Sequence, residues 1–179
     1  MSNSIESLVR HMIKTNNNDI NISFPAVVVN TDKIVDGIVD VQPIVRFLNP
    51  LSLETVEYPV LLDVSLVMPS TRTSTFSLPV HQGDFVTILV QSSDVQKFVN
   101  GNTDVHDPDF NSFGDLSNVV AIVGFTPYQQ SAFNPNNYKN DFNNQNLNIV
   151  HNKNTDNEAI ISINTDGDIS LKSPTKVVV

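Results

Sequence analysis

Three groups of side chains in this 179-residue chain have the chemistry to bind or react. Asp104, His106, Asp107 and Asp109 crowd one stretch, where carboxylate and imidazole could ligate a cation. An EF-hand loop needs a central glycine within a fixed ligand spacing, and that pattern is missing here. A solvated acidic loop is the expected form. His81 stands beside Gly83 and Asp84, and His106 beside Asp107, but neither accompanies a nucleophile elbow. Glycoside hydrolysis needs two carboxylates flanking a sugar cleft. The glutamates are Glu6, Glu54, Glu57 and Glu158, with no intervening domain large enough to hold a cleft. The absence of Cys excludes disulfides, thiolate metal sites and cysteine nucleophiles. No set of residues with assignable catalytic roles results. The expectation is a protein that is not an enzyme and carries no cofactor or metal.

What remains are strands without partners. Residues 157–179 read NEAIISINTDGDISLKSPTKVVV, three short β-runs parted by turn residues. Such strands are marginal alone in water. The tail is therefore expected to lean on other copies of itself, as an oligomeric, fibrous end. Asp166-Gly167 marks a tight turn. Period-2 spacing turns Ile161, Ile163, Ile169 and Leu171 to one side, which fits inward placement both in an ordinary hairpin and at the axis of an intertwined trimeric prism. Val177, Val178 and Val179 form a last apolar run, expected to be buried by a separate protein that continues the assembly, the alternative being that the three ends close on one another.

The rest of the chain supplies the body. Hydrophobic residues make up 40% and charged residues 16%, in a composition rich in Val, Thr, Ser and Asn that favours strands. The net charge of −9, with ten scattered basic residues, argues against nucleic acid, whose binding draws on Lys and Arg. It also argues against anionic membrane surfaces. No apolar run approaches a membrane span, and a secretion-signal pattern is missing at the N-terminus.

Residues 4–14 read as a helix. Ile5, Leu8, Val9, Met12 and Ile13 share one face, and a polar stop follows from Thr15. About three turns are marginal alone, so the stripe must dock, either on its own domain or on a neighbouring hub. Short apolar runs between residues 24 and 125 then suggest a small barrel or sandwich. The expected core is Val28, Val41, Leu62, Val64, Val67, Phe85, Ile88, Val90 and Ile122. The layout is a helix and linker at 1–19, a β-domain at 20–127, an extended Asn-rich connector at 128–156 and a β-stem at 157–179.

Several strings then fit one pattern in order. They are Phe24-Pro25-Ala26-Val27-Val28, Asp40-Val41-Gln42-Pro43, the run from Tyr58 to Pro69, Phe76-Ser77-Leu78-Pro79-Val80 with Gly83-Asp84, Ser92-Ser93-Asp94-Val95, and Phe113 to Gly124. Together they resemble the N-terminal domain of the membrane-piercing central spike proteins of contractile-tailed bacteriophages. The resemblance covers residues 5–125. It implies a mainly β chain: a five-stranded OB-fold barrel that trimerises, then a trimeric, intertwined β-helix or β-prism tail. It implies a place in the virion's tail baseplate after synthesis in the host cytoplasm. It also implies a role in piercing the host envelope, with a tail hub protein on the N-terminal side, where the stripe docks, and mechanical contact only with the membrane. Ser117-Asn118 stands where the family usually has Ser-Asp. The tail is short and lacks the His-x-His of family tips, which implies a separate spike-tip protein. In a trimer, His151 could meet two symmetry mates on the axis, though a surface position is the expected one. The rival readings are an OB-fold module for oligosaccharide or another ligand, and a tail-associated cell-wall hydrolase.

Overall fold

The computed structural model describes residues 22–48, 53–107 and 115–175. The helix expected at 4–14 and the run Val177 to Val179 lie outside them. The chain divides into two compact units, Met1–Phe125 and Thr126–Val179.

The first unit is a closed five-stranded barrel. Its strands are β1 (Ser23–Asn30), β2 (Ile38–Pro43), β5 (Leu61–Val67), β6 (Phe85–Val90) and β7 (Val119–Val123), closing in the order β1-β2-β5-β7-β6. All neighbours run antiparallel except β5 and β7, which are parallel. A second hairpin, β3 (Arg46–Leu48) with β4 (Thr55–Glu57), lies between β2 and β5 in sequence. Tyr58 follows it and stacks on Phe24, with ring centroids 5.4 Å apart, while Phe47 tilts onto Tyr58 at 4.9 Å. The hairpin is thereby held to β1 by aromatic contact. The helix α1 is a single turn at Gln96–Val99. The stretch after β5 makes only an isolated bridge, Ser70 to Thr75.

Alternation decides the core. Ala26, Val28, Val39, Val41, Val86, Ile88 and Ala121 are fully buried, with Phe24, Leu61, Val64, Val80 and Val119 completing the set. Of the expected core, Val28, Val41, Val64 and Ile88 are in place, and Val90 packs partly buried against it. Leu62, Val67, Phe85 and Ile122 are corrections. Phe85 and Ile122 alternate with the buried Val86 and Ala121, so they face outward. Leu62 is 69% exposed. The cause is a β-bulge. Val39 pairs with Val64 but Val41 pairs with Leu61, so β5 spends one extra residue over that interval. Both Leu61 and Val64 then point inward and Leu62 is thrown out. Asp63 takes up the strain with a left-handed φ of 56°. Its amide donates to Asp40 Oδ1 at 2.9 Å, and Asn30 Nδ2 donates to Asp40 Oδ2 at 3.0 Å. Lys33 Nζ pairs with the Asp63 carboxylate at 2.5 Å.

Asn118 is fully buried at the start of β7. Its Nδ2 donates to the Ser93 carbonyl at 2.5 Å and its Oδ1 accepts from the Val95 amide at 3.2 Å. The amide side chain both donates and accepts here, whereas an ionised Asp carboxylate could only accept. The departure from Ser-Asp is thus matched to its surroundings.

The second unit holds a three-stranded antiparallel sheet in the order β10-β9-β8, with β8 at Leu147–His151, β9 at Ala159–Ile163 and β10 at Ile169–Lys172. Two of these strands are runs read in the tail. The third, β8, comes from the stretch expected to be an extended connector. The Asn-rich sequence before it folds through local side-chain turns. Asn134 Oδ1 accepts from the Asn136 amide and Asn143 Oδ1 from the Gln145 amide. Tyr138 stacks on Phe142 at 3.8 Å, with Lys153 Nζ 5.4 Å from the Tyr138 ring centroid. Burial raises the Tyr138 phenol, and the Glu158 charge adds to this.

Candidate assembly surface

Residues directly opposite one another in a sheet share a face. Leu147 pairs with Ile163, which pairs with Ile169; Ile149 pairs with Ile161, which pairs with Leu171. One face of β8-β9-β10 therefore carries two rows of three aliphatic side chains, and all but the half-buried Ile163 are exposed. Ile161 is 44% exposed and Ile169 67%. The four residues singled out in the tail lie together on this face. Leu147 and Ile149 complete it, and the sequence reading missed them. Their signal was the alternation Leu147-Asn148-Ile149-Val150-His151, hidden in an Asn-rich context.

The opposite face is covered by the unit's own chain over β9, while Ser170 and Lys172 of β10 stay exposed. Ile160 and Ser162 are buried there, and Asn146 Nδ2 donates to Ser162 Oγ at 2.9 Å. The layer is pinned by Glu158, which is 1% exposed. Its carboxylate accepts from the amides of Lys139 at 3.0 Å, Asn140 at 2.8 Å and Asn154 at 2.5 Å, and from Asn140 Nδ2 at 3.1 Å. Burial pushes this carboxyl upward, and the amide donors outweigh it, so it sits below its usual range. Around it, Lys139 pairs with Asp156 and Lys172 with Asp141 at the surface.

Among the described residues of this unit, Ile160 is the one apolar side chain that is buried. A layer needs its apolar face covered to be stable. Covering six half-exposed aliphatics yields roughly 1 kcal/mol each. The open face can thus contribute several kcal/mol per copy to an assembly.

His151 lies opposite Ala159, in a third row on the same face. The other candidates for chemistry stay apart from it in sequence and function. His81 serves a turn: its amide donates to Asp84 Oδ2 at 2.7 Å, and its ring lies 3.9 Å from that carboxylate. His106 Nδ1 lies 2.7 Å from the Asp104 carbonyl, and Lys97 Nζ donates to the Asp107 carbonyl at 3.0 Å. Asp109 is outside the described residues. Among those described, no group of three or more His, Asp and Glu gathers to hold a metal, and no helix is long and apolar enough to cross a membrane.

The barrel has counterparts elsewhere. Residues 24–124 match the family model of the phage protein Gp138 N-terminal domain. The match spans more than half the chain and runs from the second residue of β1 to just past β7. No curated protein matches the chain.

Proposed function

Because the chain belongs to the family of the phage protein Gp138 N-terminal domain, we propose that it is a structural component of a contractile tail baseplate. In this reading it forms the trimeric central spike that helps pierce the host outer envelope. Membership makes it a phage protein; the spike role is our inference. The observation that carries it is the open aliphatic face on a unit with almost no core of its own. The five-stranded closed barrel, with its third and fifth strands parallel, fits an OB-fold. Three copies turn their β8-β9-β10 faces to a common axis. The resulting stem resists compression because its apolar seam opens only when all three sheets separate. Sheath contraction, not catalysis, drives it, and the chain binds no cofactor. A tail hub protein adjoins it on the N-terminal side and a separate tip protein lies on the C-terminal side of the stem. Contact with the host membrane is mechanical.

The test is a density map of the intact particle. Three copies of the barrel on the tail axis at the baseplate are expected. Barrel density on the capsid, or off the axis as single copies, would overturn the spike role.

A further inference from the structure

The barrel has an outer face that solvent alone does not explain. On β1, β6 and β7 the residues that alternate with the core are Pro25, Val27 and Val29; Phe85, Thr87 and Leu89; and Val120 and Ile122. They meet across the strands: Val27 pairs with Phe85, Thr87 with Ile122, and Leu89 with Val120. All are half-buried, and Thr87 is the single polar side chain among them. A sheet with one face in water alternates apolar and polar residues. Strands covered on both faces read as continuous apolar runs. Runs of that kind are what β1, β6 and β7 show, in AVVV, FVTILV and VVAIV. By contrast, the outward residues of β2 include Asp40 and Gln42. Something covers the β1-β6-β7 side.

We propose that the cover is this chain's own N-terminal stripe: Ile5, Leu8, Val9, Met12 and Ile13. The described chain begins at Ile22, whose carbonyl accepts from the Val90 amide at 3.0 Å, and Ser23 pairs with Leu89. The N-terminal segment therefore leaves the barrel beside Leu89, at the edge of this face. Residues 15–21 reach up to about 25 Å when extended. The stripe of residues 4–14, if helical, is about 16 Å long, and the three strands span about 10 Å between outer axes. Length and tether both fit. A tether this short holds the stripe at an effective concentration in the millimolar range, well ahead of any free partner. Docking in cis leaves the polar side of the segment, with Glu6 and Arg10, to meet the tail hub.

The cysteine-free sequence gives a clean test. Leu8→Cys is combined in turn with Phe85→Cys, Leu89→Cys and Ile122→Cys in the full chain, then oxidised, and the products are weighed. At least one pair should give an intrachain disulfide in most molecules, since bridging needs Cα atoms within about 7 Å. The polar-side control, Glu6→Cys with the same partners, should give at least severalfold less. In parallel, removal of residues 1–14 should raise binding of an apolar dye severalfold. Interchain disulfides alone would assign the face to a second copy and overturn the proposal. No disulfide with any partner, or unchanged dye binding after truncation, would overturn it as well.

Discussion

Glu158 shows how much of the second unit hangs on one side chain. Its carboxylate satisfies three backbone amides drawn from two separate loops, 139–140 and 154. Glu158→Gln keeps the shape but turns an NH₂ group toward N–H donors. It should destabilise this unit by roughly 1–3 kcal/mol, measured by chemical denaturation. The pH dependence has a definite sign. The folded carboxyl titrates below its unfolded value, so its contribution is complete above the usual glutamate range, near pH 4.5. That contribution is lost as the pH falls through the lowered folded value. The Gln variant should lose that acid-dependent part of the melting curve. Asn118 is the matching case in the barrel. Asn118→Asp removes the donor to Ser93 and sets a carboxylate against a carbonyl. A loss of about 2 kcal/mol in barrel stability is expected. Neither role was legible in sequence, because Glu158 reads as one more glutamate and Asn118 as a mild departure from a motif.

At the scale of elements, the strands were legible and their inward sets were only partly so. Strict alternation along Leu61 to Val67 cannot bring both Leu61 and Val64 inside. The bulge at Asp63 does, and its signals are a polar residue in left-handed backbone and the Asp40 carboxylate that accepts its amide. Both are tertiary facts that no window of sequence contains. Leu62→Ala should therefore change barrel stability by less than about 0.5 kcal/mol, and Val64→Ala should cost about 2 kcal/mol. Equal losses at the two positions, by denaturant unfolding, would reject the bulge. Strand β8 failed to register for a different reason. Its alternation is intact, but asparagine supplies the polar positions and flanks, and those residues usually signal loops. Here they close side-chain turns and leave a strand between them.

For the whole molecule, the two units differ in what they need. The barrel buries a contiguous core in cis. The second unit presents rows of Leu and Ile and buries Ile160 alone among its described apolar residues. Ile149→Asp with Ile161→Asp places two charges in the middle row of that face. The double variant should dissociate to single chains at micromolar concentration while the barrel keeps its melting transition, read by sedimentation and circular dichroism. The most direct measurement is the mass of the 179-residue chain in solution by light scattering. Self-association through this face as a spike predicts a stable species near three times 19.8 kDa that persists on dilution. A monomer at 19.8 kDa across the same concentrations would contradict it.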